Sequence, residues 1–206
     1  MAPDLPMRRG LRAAFAAMLG LLLAAFPAFA VELDPAAVAF LEQLSISVPG
    51  PAAVVICHGF GCDFRTEVAF TPADQRQFAR LLAPGRAAPE AERKAIAAAV
   101  AWFERRVGPL AGTSGRTPRI SGAAGDPREA DCIDETANTT SFLLILDRLG
   151  LLHHHAVAGP ESRGLHMAAV VRERKSGNRW VIDPWTHRNG ELPDVMPLEL
   201  WQGHYD

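Results

Sequence analysis

The stretch from His166 to Asp183 limits the possible folds more than any other part of the chain. It reads HMAAVVRER, then KSGN, then RWVID. Two runs rich in β-branched residues flank a short Lys-Ser-Gly-Asn segment, which predicts two strands joined by a tight turn. Strands joined so closely must run antiparallel, and the start of one then lies beside the end of the other. His166 opens the first strand and Asp183 closes the second, so the hairpin makes neighbours of them. A carboxylate beside an imidazole fixes its tautomer and supports its charged form. A third run, HHAVAG (154–159), reads as another strand, so a small antiparallel sheet is expected.

The segment before that sheet is DCIDETANTTSFLLILDRLG (131–150). Asp131 is placed to cap a helix, with Asp134 three residues on in a partial capping-box arrangement. Leu143, Leu144 and Leu149 give it a core face, and Gly150 stops it. Cys132 therefore stands at a helix N-terminus, where free N–H groups and the helix dipole stabilise a thiolate. The same N–H groups can hold the oxyanion formed when sulfur attacks a carbonyl. Asp126, Glu129, Asp131, Asp134 and Glu135 crowd the region and oppose a thiolate, so a nearby imidazolium is needed. Cys132, His166 and Asp183 then read as nucleophile, base and orienting group.

Further upstream, 34–44, 71–82 and 89–108 read as helices. Ile96, Val100, Phe103 and Val107 line one face of the last of these, as a core stripe does. AAVVIC (52–57) and FRTEVAF (64–70) read as a hairpin. Residues 108–129 show almost no periodicity and form a long loop leading to Cys132, either a functional lid or a segment without order.

The chain starts with Arg8, Arg9 and Arg12, an apolar run, and Ala28-Phe29-Ala30. This three-part pattern is that of a secretory signal cleaved near Ala30, with an uncleaved anchor helix as the alternative. Residues 31–206 are then expected to form one domain. Loss of those three arginines and Asp4 takes the formal charge from −2 to about −4. That balance, with no basic stripe, argues against nucleic acid or anionic lipid as partners. No later segment is apolar for long enough to span a bilayer, so no stable membrane insertion is expected after cleavage. An exported chain meets an oxidising compartment, periplasmic or extracellular. Cys57 and Cys62 then pair across HGFG, and Cys132 is left as the free thiol. The alternative is that all three stay reduced.

The segment from Asp131 to Trp185 resembles the transglutaminase-like superfamily of cysteine enzymes, in its uncharacterised, exported bacterial branch. The likeness is carried by DCIDET, by RLGLLHHHAVAG and by LHMAAVVRERKSGNRWVIDPW. The family places Cys on a helix N-terminus and His and Asp on adjacent antiparallel strands. The resemblance implies an α+β fold with a papain-like, transglutaminase-like core, the nucleophile helix packed on a small antiparallel sheet. It assigns catalytic roles to Cys132, His166 and Asp183, and implies that Trp180 and Trp185 pack around the site. Ala130 and Ala168 stand where the family often has Gly and an aromatic residue.

The expected function is exported, cysteine-dependent hydrolysis of a peptide or protein amide, or acyl transfer, through a thioester. Trp185 and His154 are candidate substrate-binding residues. The reading invokes no cofactor and no metal. A first alternative is an inactive transglutaminase-like binding module of the cell envelope. A second is a metal-binding protein using His153, His154 and His155, whose alternation along a strand would send the middle ring to the opposite face. Asn138, Thr139 and Thr140 are expected to satisfy neighbouring loops, and Trp102 and Trp201 to serve packing.

Overall fold

The protein is described here by a computed structural model that covers residues 33–122 and 124–203. The signal segment expected over 1–30 lies outside the described residues. Five α-helices and two small antiparallel sheets make up the described chain. None of these helices is long and apolar enough to cross a membrane.

Helix α1 (Pro35–Gln43) starts where the Asp34 carboxylate accepts the N–H groups of Ala36 and Ala37. Strands β1 (Ala53–His58) and β2 (Phe64–Ala69) form the expected hairpin, paired from Ala53–Ala69 to His58–Phe64. The Cys57–Cys62 disulfide closes its loop. Helix α2 (Pro72–Leu82) begins at a full capping box between Thr71 and Asp74. A short 3-10 helix, Ala83–Ala87, leads to α3 (Pro89–Ala111). The stripe of Ile96, Val100, Phe103 and Val107 is buried as the spacing requires. Gly108 was expected to end this helix, but Pro109 continues it and Gly112, at φ +80°, stops it.

Helix α4 (Cys132–Arg148) is the centre of the fold, and every residue from Asp134 to Asp147 is buried. Its apolar half joins the main core, where Phe142 stacks on Phe103 with ring centroids 4.4 Å apart. Its polar half is buried too, because Asn138 reaches across to β1. The Asn138 amide accepts the Cys57 N–H at 2.7 Å and donates to the Cys57 carbonyl at 2.9 Å, which locks the two elements together.

The second sheet runs in the order β3 (His155–Arg163), β4 (His166–Glu173), β5 (Arg179–Asp183) and β6 (Asp194–Pro197). β3 is longer than HHAVAG suggested and carries a bulge between Ala158 and Glu161. At that bulge Gly159 passes α1 so closely that a Cβ there would stand 2.6 Å from the Ala36 Cβ. Ala169, Val171 and Ile182 join the main core. Ala168, Val170 and Val181, alternating with them, pack with Leu198 and Trp201 in a second, smaller cluster. Trp201 belongs to α5 (Leu198–Gly203). After Asp183 the chain turns through residues 184–193 and then forms β6 and α5.

A candidate cysteine-centred active site

Cys132 is the first residue of α4, preceded by Asp131 as N-cap. The capping box is complete. The Asp131 carboxylate accepts the Asp134 N–H at 2.8 Å, and Asp134 accepts that of Asp131 at 3.1 Å. The disulfide loop supplies the rest of the support. Asp134 also accepts the N–H groups of Phe60 and Cys62, and Asp131 that of Gly61. Four successive residues, Gly59 to Cys62, take left-handed backbone angles to present these donors, which an unconstrained loop with Phe at its centre would resist. A helix start leaves its first N–H groups unused by the helix itself, so those of Cys132 and Ile133 are available to an oxyanion.

The second half of the site comes from the four-stranded sheet. One step beyond the Ala169–Ile182 pair, the register sets Asp183 opposite Ala168, diagonal to His166 on the same face. His166 Nε2 lies 2.6 Å from Asp183 Oδ2. The same oxygen accepts the Trp201 indole N–H at 3.4 Å. Trp185 covers the imidazole with ring centroids 4.5 Å apart, and Trp201 stands 5.4 Å away. Burial of the ring disfavours its charge. The Asp183 hydrogen bond, the neighbouring Cys132 and the charges of both outweigh that, and the His166 pKa rises to about 9. With Nε2 committed to Asp183, the nitrogen that can exchange a proton with Cys132 is Nδ1. It is buried and has no hydrogen-bond partner among the described residues. The Cys132 thiol is within interaction range of the ring but points to the Leu165 carbonyl, at 3.7 Å.

The acidic crowding expected around the thiol is weaker than the residue count implies. Burial, then the charge of Asp131, raises the Asp134 pKa to about 7 against the three N–H groups it accepts. Burial and Glu104 raise that of Glu135 to about 8, opposed by Arg116. Asp126 is held low, to about 2, by its hydrogen bonds from Arg128. Arg116 is itself buried. It sits 2.8 Å from both Glu104 and Glu135, bonded to the first and not aligned for a hydrogen bond to the second. It also donates to the carbonyls of Pro184 and His187, so it ties α3 and α4 to the segment carrying Trp185. The loop before Cys132 is pinned by this arginine and by further bonds. Thr117 donates to Glu129, Arg119 to the Trp185 carbonyl, and Gly125 to the Gly59 carbonyl.

Cys132 and His166 line a cleft of about 540 Å³ whose other walls include Phe60, Ile120, Leu165 and Trp185. Of the sequence-derived candidates, Cys132, His166, Asp183 and Trp185 come together here. His154 does not. Its ring meets the Arg86 carbonyl, just before the end of β3 opposite the Arg163–His166 turn. Trp180 is also remote from the cleft, lying under the Arg93 guanidinium 3.7 Å from the ring centroid. The histidine run is organised by one carboxylate: Glu92 accepts the N–H groups of His153, His154 and His155, and the His155 ring at 2.7 Å. No group of three or more metal-ligating side chains occurs among the described residues. Trp201 and Arg116 were not legible as site residues. Neither occupies a periodic position that points to the triad.

No family model, curated protein or solved structure matches this chain.

Proposed function

We propose that the protein is an exported, transglutaminase-like cysteine enzyme with a papain-like core that cleaves or transfers the acyl group of a peptide or protein amide. One observation carries this reading. Asp183 holds His166 at 2.6 Å, and the buried Nδ1 of that ring has no hydrogen-bond partner among the described residues, beside a cysteine at a helix start. The charged His166 ring holds on Nδ1 the proton taken from Cys132, and the sulfur attacks the carbonyl carbon. The carbonyl electron pair moves to oxygen, within reach of the first-turn N–H groups. As the oxyanion collapses, the C–N bond breaks and the Nδ1 proton passes to the leaving amine. Water then attacks the thioester with His166 as base, which releases the acid and restores the thiol. An amine in place of water gives transfer. The Asp183 hydrogen bond keeps Nδ1 directed at the sulfur throughout. No nucleic acid partner is implied.

The export part of the reading is supported by the pattern of residues 1–30 and by the Cys57–Cys62 disulfide. The test is incubation with an activated acetyl ester, p-nitrophenyl acetate, followed by peptide mass mapping. An acetyl group trapped on Cys132, absent from Cys132→Ala and slow to form in His166→Ala, is expected. Equal ester turnover in wild type and Cys132→Ala, with no acyl group on Cys132, would return the chain to the binding-module reading.

A further inference from the structure

Two apolar side chains at the cleft are held where the fold itself gains nothing from them. Leu165 is fully exposed, at the two-residue turn between β3 and β4, where polar turn residues are the ordinary choice. Its carbonyl faces the Cys132 sulfur, and the residue lines the cleft that holds it. Phe60 comes from the other sheet and is left-handed at φ +76°, an outlier for a bulky residue. It is held there by the disulfide and by its N–H bond to Asp134. Strain and exposure of this kind, both directed at one cleft, point to a ligand surface. Ile120, Ile133 and Trp185 extend that surface.

We infer that the cleft selects acyl groups bearing a bulky apolar side chain, such as a leucine- or phenylalanine-like residue whose carbonyl Cys132 attacks, contacted by Phe60 and Leu165. This rests on Cys132 being the nucleophile. The acyl side is the part concerned, because it alone stays on the sulfur after the amine leaves and must be held while water attacks.

The test uses N-acetyl chloromethyl ketones of phenylalanine, leucine, glycine and glutamate. In each the sulfur–carbon bond forms as chloride leaves. Iodoacetamide serves as a small probe without a side chain, and labelling of Cys132 is followed by mass spectrometry. The phenylalanine and leucine probes are expected to label about 10- to 100-fold faster than the glycine and glutamate ones, the range that an apolar pocket supplies. The double variant Leu165→Ser with Phe60→Gly should lose most of that preference and keep its iodoacetamide rate. Both changes are mild for the fold, since Leu165 is exposed and Gly suits a left-handed position. Equal rates for all four probes, or an undiminished preference in the double variant, overturn the inference. If the iodoacetamide rate in wild type is the same as in His166→Ala, the nucleophile reading falls first and this inference with it.

Discussion

Replacing Asp183 by Asn removes one negative charge from the site and little else. Asn has nearly the same shape, and its oxygen can still accept the Trp201 N–H. In the native protein the His166 pKa is about 9, against 6.5 for an unperturbed ring, although burial alone would push it lower. That lift corresponds to about 3 kcal/mol favouring the charged ring, most of it owed to Asp183. In Asp183→Asn the ring should therefore titrate at or below about 6.5. The assay is an NMR titration of the His166 ring from pH 5 to pH 10. A linked effect appears in stability. A ring whose pKa is raised on folding stabilises the fold fully below its unfolded value, and the contribution fades as pH rises through the folded value. The stability difference between native and variant protein should thus be largest below about pH 6.5 and shrink toward pH 9. A variant ring still titrating near 9 would refute the claim that Asp183 sets the state of His166.

Other perturbations test the surroundings. Asp134 and Glu135 also carry raised pKa values, about 7 and about 8, so the native state keeps protons that the unfolded chain has already lost, and stability should fall as pH rises from about 4 toward those values and level off above them. Urea titrations from pH 5 to pH 9 should show the fall, and Asp134→Asn should flatten it. Arg116→Met leaves two buried carboxylates and two carbonyls without their cation, and should cost about 3–5 kcal/mol in chemical unfolding. Replacing Cys57 and Cys62 by Ser should cost about 2 kcal/mol, the entropy of so short a loop. Slower alkylation of Cys132 should accompany it, because the same loop holds the carboxylates at the start of α4. An unchanged alkylation rate would show that the loop stabilises the fold without shaping the site.

What could be read beforehand was what local chemistry dictates. Two β-rich runs on either side of KSGN brought His166 and Asp183 together, because register across a tight turn leaves little freedom. Asp131 and Asp134 marked the start of α4 because a carboxylate there satisfies N–H groups that have no other partner. The spacing of Cys57 and Cys62 across two glycines suggested their pairing. What escaped was set by contacts distant in sequence. Arg116 lies in a stretch without periodicity, and only the folded chain surrounds it with Glu104, Glu135 and two carbonyls. β6 is four residues bounded by prolines at 193 and 197, too short to show alternation. Trp201 looked like packing and does pack, yet its N–H also holds Asp183. His154 and Trp180 had the right residue types, but Glu92 and Arg93 claim that end of the sheet instead.

The burial of α4 has a consequence for how such a site can diversify. Cys132 is fastened to a rod whose residues from Asp134 to Asp147 are all enclosed, so the sulfur cannot be moved without disturbing the centre of the molecule. Leu165, by contrast, sits at an open turn where substitution changes no buried contact. If Cys132 is the nucleophile proposed above, chemistry and preference are thereby decoupled. Variation at the turn can retune which substrates are accepted while leaving thermal robustness and the reacting atoms as they were. A library randomised there would explore new selectivities without first having to be screened for folding.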